Sequence, residues 1–440
     1  MTTYLPAVIL VVAIVVQALA PRLRVPVVVL AAALAVVVVT GSGAATAHGI
    51  VAAVPWDVLV LLVALGVISQ MFADARVFER LAVFTAKNGG ADPRHVVVVF
   101  GVVMYAVSGM VNNVTALLLV LPVLLVLLRL TGTSARHARW VVSVMLVSCN
   151  LGGAATPIGD FPAILLLGAG AMEFVPYLVR ALPMTALALA VFLVVVVVVV
   201  RPARDVPSSK AARRLSIAVV VALHRRVRVR RRLFVPAALA LVTMFVVWAT
   251  VPARVVPPDL VAWIAVPIAL LAVPKEAAQI IRRSVDVDST LFLFALFVLV
   301  GCVQQTGLFD RLALGIIGLP LPPSLQLIVF LVTAGVLTGL FSAGPSMAAL
   351  LLVARALAEH VPADAVYVGL ALSVCAGSSL FLTAATAGPL AQSLVDAAHV
   401  QDLDGRPVQL GFAQFLPTGF LAFAIIQATA VAWALAKTAW

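Results

Sequence analysis

The chain has 440 residues, of which 64% are hydrophobic and only 10% carry a charge. A soluble globular domain is roughly half apolar and a quarter charged, so this composition excludes that class and indicates lipid as the solvent. The formal net charge of +12 might suit a nucleic-acid partner, but the basic residues border apolar runs, which is typical of membrane topology. We therefore predict an all-α polytopic membrane protein without a nucleic-acid partner, because helices satisfy their own backbone groups in lipid.

Ten apolar runs of spanning length follow one another along the chain. Two further runs, 95–130 and 323–358, are too long for one crossing and contain a polar kink near the middle, so each is predicted to be a re-entrant hairpin. The count is therefore about ten transmembrane helices, two of them broken, and two hairpins. The ten runs are 5–20, 24–40, 51–72, 139–171 (broken), 178–200, 233–251, 258–273, 288–305, 364–395 (broken) and 412–436.

The basic residues test this arrangement. With the linker 201–232 placed in the cytoplasm, 24 of the 29 lysines and arginines fall on the inner side and five on the outer side. Such a bias sets the orientation of bacterial-type membrane proteins. The sequence therefore predicts a multi-pass protein of the plasma (inner) membrane with a cytoplasmic basic linker.

The chain also repeats itself. The segment FERLA at 78–82 recurs as FDRLA at 309–313, and the kink at Asn112-Asn113 recurs at Ala343-Gly344. The interrupted helix around Asn150 returns around Ala376-Gly377. Each half, 1–200 and 233–440, then contains three spans, one hairpin, one broken span and one final span. An odd number of crossings makes the halves inverted copies, an architecture typical of secondary transporters with a site where the broken helices meet.

The first half carries two polar breaks. The hairpin tip supplies Asn112, Asn113 and Thr115, which serve either as ligands or as caps of the hairpin. In the broken helix, NLGGAATPIGDFPAILL, the pair Gly152-Gly153 permits unwinding, and two prolines prevent a regular helix. Asp160 precedes a new helix, so it is either only an N-cap or the acid of a Na+ or H+ site beside unwound carbonyls.

The second half carries breaks without an acid or a base. The hairpin tip offers Ser342 and Ser346, and the broken helix offers Ser378, Ser379 and Thr383. Back-bonding within the helix is the ordinary role of such hydroxyls. Their position opposite the first-half breaks makes a shared binding site the competing hypothesis.

Cysteine and histidine residues give no sign of an enzyme. The three cysteines, Cys149, Cys302 and Cys375, lie in apolar runs without pairing or metal spacing and are predicted to be small buried hydrophobes. All six histidines lie in loops or at span ends. With no nucleophile–base or metal-ligand spacing at membrane depth, we predict that the protein is not an enzyme.

Two stretches resemble a known family. NNVTALLLVLP from Asn112 and NLGGAATPIGDFPA from Asn150 are similar to the paired signature of the ion transporter superfamily with a citrate-transporter-like domain. That group includes arsenite/antimonite permeases, the pigmentation P-protein, a branch of Na+/H+ antiporters and divalent anion:sodium symporters. The likeness covers nearly the whole chain in segment order. It is most specific at Asn150, Gly152, Gly153, Thr156, Pro157, Gly159, Asp160 and Pro162.

The resemblance implies a homodimer whose transport domain, here 95–171 with 323–395, carries substrate by an elevator-like movement against a scaffold. The chain also departs from the family pattern. Antiporter-like members carry Asp-Asn at the hairpin tips, where this chain has Asn112-Asn113 and Ala343-Gly344, and the symporters' Ser-Asn-Thr tip is missing as well. The lost acids weaken the case for electrogenic Na+/H+ antiport.

We expect a secondary active transporter that moves a small anion, a carboxylate or an oxyanion, coupled to Na+ or H+, with no other cofactor. In this hypothesis Asp160 charges a cation site, and hydroxyls of the second half cradle the anion beside helix N-termini. The alternative is cation/proton exchange at Asp160, and a membrane-embedded enzyme or a sensor without transport is a remote third reading. The predicted cation site is Asn112, Asn113, Asn150, Thr156 and Asp160, and the predicted cradle is Ser342, Ser346, Ser378, Ser379 and Thr383. Further predicted substrate- or ion-binding positions are Thr115, Gly152, Gly153 and Gly159.

Overall fold

The computed structural model describes residues 4–19, 23–52, 54–77, 80, 92–131, 133–204, 228–252, 255–284, 287–341, 343–384 and 387–438. These residues form 19 α-helices and one π-helix, and no strand beyond an isolated bridge between Gln401 and Pro407. The all-α prediction is confirmed. Most of the linker 201–232 lies outside the described residues.

The helices of the first half are numbered in chain order. They are α1 (Leu5–Leu19), α2 (Arg24–Gly41), α3 (Ala47–Ala52), α4 (Trp56–Asp74), α5 (Pro93–Ser108), α6 (Asn113–Thr131), α7 (Ala135–Ala155), α8 (Phe161–Gly168) and α9 (Phe174–Val195), which continues as the π-helix Val196–Val200.

The second half follows the same order. It contains α10 (Arg231–Thr250), α11 (Pro258–Leu271), α12 (Pro274–Ser284), α13 (Val287–Gln304), α14 (Leu308–Ile317), α15 (Pro323–Phe341), α16 (Ala343–Leu357), α17 (Ala363–Ser378), α18 (Gly388–Ala398) and α19 (Phe412–Thr438).

Helices end at the predicted breaks for local reasons. The chain leaves α7 after Ala155, and α8 starts with Asp160 as N-cap and Pro162 in its first turn. The hairpin tips separate α5 from α6 and α15 from α16. The break in the second broken helix separates α17 from α18. Whether each hairpin enters and leaves on one side of the membrane stays a prediction.

Several described helices suit a bilayer. Seven are long and apolar enough to cross it, and an eighth span results if the bent pair of α13 and α14 is one span. That pair bends by 67°. Five shorter helices are also apolar, so the predicted count of about ten crossings remains a prediction. The segment 309–313 lies in α14, whereas most of its counterpart 78–82 lies outside the described residues.

Several helices of one half pack on the counterpart of a different helix in the other half. α2 packs on α13 while α4 packs on α11, and α6 packs on α18 while α8 packs on α16. Within each half, the first hairpin leg lies along the broken helix, α5 on α7 and α15 on α17. α7 and α17 are buried along almost their whole length, which puts the broken helices at the centre of the molecule.

Close helix contacts define the register of the repeat. A Cβ on Gly109 would lie 3.3 Å from the carbonyl oxygen of Gly152, and one on Gly339 would lie 3.5 Å from that of Gly377. These equivalent approaches make Ala343 the counterpart of Asn113, one residue before the predicted Gly344. By the same contacts Cys375 is the counterpart of Asn150, in place of Ala376 or Gly377. Apolar helices offer few landmarks for counting, so only the contacts decide the register.

Candidate functional site

Asp160 joins the two first-half breaks. Its Oδ1 accepts a hydrogen bond from the backbone N–H of Phe161 at 2.9 Å, as an N-cap does, and its Oδ2 accepts one from Asn113 Nδ2 at 2.7 Å. Asn113 is the first residue of α6 and is buried, and Asp160 is half-buried. Asp160 is therefore both a cap and the centre of a polar cluster.

A second layer of contacts orients the Asn113 amide. Ser108 Oγ donates a hydrogen bond to Asn113 Oδ1 and also lies 2.8 Å from the carbonyl oxygen of Cys149. The Cys149 thiol in turn donates to the carbonyl oxygen of Asn113 at 3.3 Å. With its oxygen engaged by a hydroxyl, the amide presents its NH2 group to the carboxylate of Asp160.

Glycine is required where the breaks meet. A Cβ on Gly153 would lie 2.6 Å from Asn113 Oδ1 and 2.7 Å from the Cβ of Asp160. One on Gly159 would lie 2.7 Å from the carbonyl oxygen of Gly153 and 2.9 Å from that of Ser108. All four distances are shorter than real Cβ contacts, so any side chain would separate the hairpin tip from the broken helix.

Asn150 connects the broken helices of the two halves. Its Nδ2 donates to the carbonyl oxygen of Ser378 at 3.2 Å and to Ser379 Oγ at 3.1 Å. Both serine hydroxyls also donate back to the carbonyl oxygen of Cys375, at 3.0 Å from Ser378 and 2.9 Å from Ser379. The serines thus back-bond within α17 and still accept a contact from α7.

A small cavity lies between these groups. Its volume is about 10 Å³, which is about the minimum that holds one water molecule. In this conformation it admits a water or a small dehydrated ion and is too small for an organic anion. The hydroxyl of Tyr177 on its wall donates to the carbonyl oxygen of Ala154 at 2.8 Å. The lining residues are Asn150, Ala154, Asp160, Pro162, Ala163, Tyr177, Ala371, Val374, Cys375 and Ser378.

Two helix N-termini contact Asp160, and a third begins near Phe161. α6 begins at Asn113 and α8 at Phe161, on either side of the carboxylate. α16 begins beside them, since a Cβ on Gly344 would lie 3.6 Å from the Phe161 ring. These ends carry partial positive charge, which favours an ionised acid or a bound anion. No lysine or arginine lines the cavity among the described residues.

Three other residues of the predicted site, Thr156, Asn112 and Thr115, do not line the cavity. Thr156 donates from Oγ1 to the carbonyl oxygen of Gly109 at 2.7 Å and so joins the broken helix to the hairpin tip. Asn112 is exposed, and its Oδ1 accepts from the backbone N–H of Thr115 at 2.8 Å. Asn112 is therefore a cap of α6, as the alternative hypothesis held, and Thr115 enters that contact through its backbone.

The predicted anion cradle is only partly assembled. Ser346 is buried in α16, and its Oγ has no hydrogen-bond partner in the described structure. Thr383 is exposed in a turn after α17, and Ser342 lies outside the described residues. Ser378 and Ser379 are the cradle residues that reach Asn150.

Three residues at the site were missed by sequence reasoning. Ser108 is the last residue of α5, before the hairpin tip, so spacing alone did not connect it to Asn113. Cys149 was predicted to be a plain buried hydrophobe, and it is buried, yet its thiol and its carbonyl both serve this cluster. Tyr177 lies in a different helix from the break and carries no sequence signal.

The charge at the cavity suits a monovalent cation. Among the described residues Asp160 is the one carboxylate lining it, and its two oxygens accept hydrogen bonds from the N–H groups of Phe161 and Asn113. The described residues contain no group of three His, Cys, Asp or Glu side chains that could hold a metal ion together. A single carboxylate matches one unit of positive charge, either Na+ or a proton.

Apolar spans, buried broken helices and a polar centre together define an integral multi-pass membrane protein of transporter type. The sequence profile described as "Citrate transporter" (CitMHS) matches residues 8–377 and, separately, 229–437. The chain belongs to this family, which confirms the resemblance seen in the sequence.

Several curated proteins are similar to the chain. An uncharacterized transporter of Mycobacterium tuberculosis H37Rv, Rv2685, is 28% identical over 263 residues, which cover 60% of this chain and 59% of the relative. The match thus spans about three fifths of the length of such mycobacterial relatives. The magnetosome protein MamN of Magnetospirillum gryphiswaldense is 28% identical over 363 residues, covering 80% of this chain and 79% of that protein.

A distant likeness exists among solved structures. The YdaH transporter of Alcanivorax borkumensis matches with a TM-score of 0.44 and 14% identity, covering 86% of this chain and 84% of that one. The family assignment rests on the sequence profile rather than on this comparison.

Proposed function

We propose that the protein is a secondary active transporter of a small anion, a carboxylate or an oxyanion, driven by Na+ or H+. The contact of Asn113 with Asp160 between the N-termini of α6 and α8 carries the proposal. The carboxylate would hold the coupling ion, and the helix ends would attract the anion without a basic side chain. Membership in the citrate transporter family supports the anion class.

The anion would bind in a second, more open conformation. The present cavity of about 10 Å³ suits only the ion. Movement of the transport domain, 95–171 with 323–395, against the rest would widen it, and Ser346, whose buried hydroxyl has no hydrogen-bond partner among the described residues, is a candidate ligand in that conformation. We further propose a homodimer in the inner membrane, with the linker 201–232 in the cytoplasm.

Cation/proton exchange is the second candidate function. The cavity contains one carboxylate and room for about one water, which is all that an alternating Na+ and proton site needs. In that case the hydroxyls of the second half would be structural, as their bonds to Cys375 within α17 suggest.

Reconstituted vesicles separate the two candidates. The purified protein is placed in liposomes with a pH dye inside, a Na+ gradient is imposed, and the native protein is compared with Asp160→Asn. Asp396→Asn, which removes an exposed acid in α18, is the matched control. A Na+-driven pH change that is lost only in Asp160→Asn would establish exchange and overturn the anion proposal.

If the pH stays constant, uptake of labelled citrate, succinate, sulfate and arsenite is measured with Na+ and then with H+ gradients. Gradient-driven uptake of one of them that is abolished in Asp160→Asn and retained in Asp396→Asn supports the proposal. Equal uptake in native protein and Asp160→Asn would remove Asp160 from the coupling site.

A further inference from the structure

An apolar groove opens elsewhere on the molecule and shares no lining residue with the cavity at Asp160. α4, α11 and α13 form its walls, and α12 closes one end through Ile281. Its volume is about 680 Å³, and nearly all of its surface is hydrocarbon. Trp56 and Trp263, at 50% and 63% exposure, leave it open to the surroundings. The groove is therefore large enough for a hydrocarbon chain and is not filled by the protein itself.

The groove has the depth of one membrane leaflet. Its lining runs along α4 from Trp56 to Val67, which is about 17 Å at the helical rise of 1.5 Å per residue. The hydrocarbon core of a bilayer is about 30 Å thick. A chain that enters at the α12 end would thus run along about half of this thickness, as far as Trp56 at the start of α4.

A basic amphipathic helix lies at the entrance. One face of α12 carries Ile280, which is buried, and Ile281, which lines the groove. The other face exposes Lys275, Arg282 and Arg283 against a single acid, Glu276. Such a helix is typical of the interface between acyl chains and anionic headgroups.

The charges of α12 remain available to a ligand. Arg283 forms a loose ion pair with Asp74, with 3.8 Å between Nη1 and Oδ1. Lys275 and Arg282 have no ion-pair partner within the described ranges. Arg282 directly follows the groove residue Ile281, and Lys275 lies two turns earlier on the same face as Arg282, so a phosphate beside this end of the groove would meet two uncommitted positive charges.

We propose that this groove binds an anionic phospholipid, with an acyl chain between α4, α11 and α13 and the phosphate against Arg282 and Lys275. A second copy of the chain fits the site less well. A twofold axis along the membrane normal would bring two basic α12 helices to the same side of the membrane, where they repel each other. Lipid supplies the opposite charge and the matching hydrocarbon in one molecule.

Native mass spectrometry and thermal unfolding of the full chain in detergent test the proposal. The probes are phosphatidylglycerol, phosphatidylcholine with the same acyl chains, and glycerol 3-phosphate as a headgroup without chains. Arg282→Gln tests the charge, and Val63→Phe fills the groove, with Val60→Phe as its replacement if that variant does not fold. Val242→Phe, at an exposed position on α10 outside the groove, is the matched control.

Phosphatidylglycerol is expected to be retained and to raise the unfolding temperature more than phosphatidylcholine. Arg282→Gln should weaken its binding about fivefold, since one basic residue contributes about that factor at an anionic surface. Val63→Phe should abolish retention of both lipids, and Val242→Phe should change neither.

Three results would overturn the proposal. Equal retention of phosphatidylglycerol and phosphatidylcholine would show that the lipid charge plays no role. A rise in unfolding temperature with glycerol 3-phosphate as large as that with phosphatidylglycerol would assign the site to free phosphate. Conversion of a dimer to a monomer by Val63→Phe, with phosphatidylglycerol binding unchanged, would show that a second copy occupies the groove.

Discussion

At the scale of single residues, the site depends on side chains whose orientation is restricted by hydrogen bonds and close packing. Asp160 accepts from Asn113 because Ser108 orients the amide and because Gly153 leaves space for both side chains. Each of these residues acts by shape or by one hydrogen bond. The charge itself resides on Asp160 alone within the cavity lining.

Gly153→Ala should reduce transport at least about tenfold, because overpacking at such a contact costs about 1–3 kcal/mol and would move Asn113 away from Asp160. The measurement is the initial uptake rate in liposomes, normalised to folded protein. Gly301→Ala is the control, since a Cβ there meets nothing within 4 Å. Equal rates for the two variants would contradict the close packing of the breaks.

Ser108→Ala should raise the KM for the coupling ion about three- to tenfold, because one hydrogen bond contributes about 0.5–1.5 kcal/mol and the Asn113 amide would lose its orientation. Ion titration of the uptake rate measures this change. Ser148→Ala removes a hydroxyl that is buried in α7 and has no hydrogen-bond partner among the described residues, and it should leave the KM unchanged. A similar KM for both variants would mean that Ser108 does not position Asn113.

At the scale of helices, the broken helices of the two halves are joined side by side. Asn150 of α7 donates to Ser378 and Ser379 of α17, and this contact links residues 228 and 229 positions apart. Buried amides of this kind stabilise one mutual arrangement of helices in lipid, where apolar contact alone is unselective.

Asn150→Ala should lower the free energy of unfolding by about 1–3 kcal/mol, because the carbonyl of Ser378 loses its side-chain donor inside the protein. Ser379→Ala should cost less, since Asn150 keeps its bond to the Ser378 carbonyl. Thermal unfolding in detergent compares the two with Ser143→Ala, since the Ser143 hydroxyl is buried in α7 and bonds to nothing in the part of the chain that the structure describes. An equal loss for Ser379→Ala and Asn150→Ala would mean that the hydroxyl carries the contact.

At the scale of the whole molecule, the helix contacts between the halves occur in equivalent pairs, as in an inverted repeat. α2 lies on α13 and α4 on α11, and the second hairpin legs lie on the opposite broken helices. The orientation in the membrane is still a prediction from the basic residues. The three native cysteines are buried, which gives a low background for testing it by thiol labelling.

Two engineered cysteines should locate the two sides of the membrane. Ser208→Cys, in the basic linker, is expected to react with an impermeant thiol reagent only after cells are permeabilised, because basic segments stay in the cytoplasm. Glu359→Cys, an exposed residue after α16, should react in intact cells. The unsubstituted protein is the control, and the opposite labelling pattern would reverse the proposed topology.

The sequence by itself determined the class of protein and the location of its breaks. Excess apolar residues require lipid, and glycine and proline interrupt helices locally, so Gly152 to Pro162 was recognisable without a structure. The role of Asp160 as a cap was equally local, since it depends on the next few residues.

Only the tertiary structure decided which polar groups meet. Asn113 and Asp160 are 47 positions apart, and the pairing of Ser108 with Cys149 and the exposure of Asn112 and Thr383 have no sequence signature. In lipid, a helix is apolar on its buried and its exposed faces alike, so hydrophobic periodicity does not tell which face packs inward. The register of the repeat and the composition of the site therefore follow from helix contacts that no local pattern encodes.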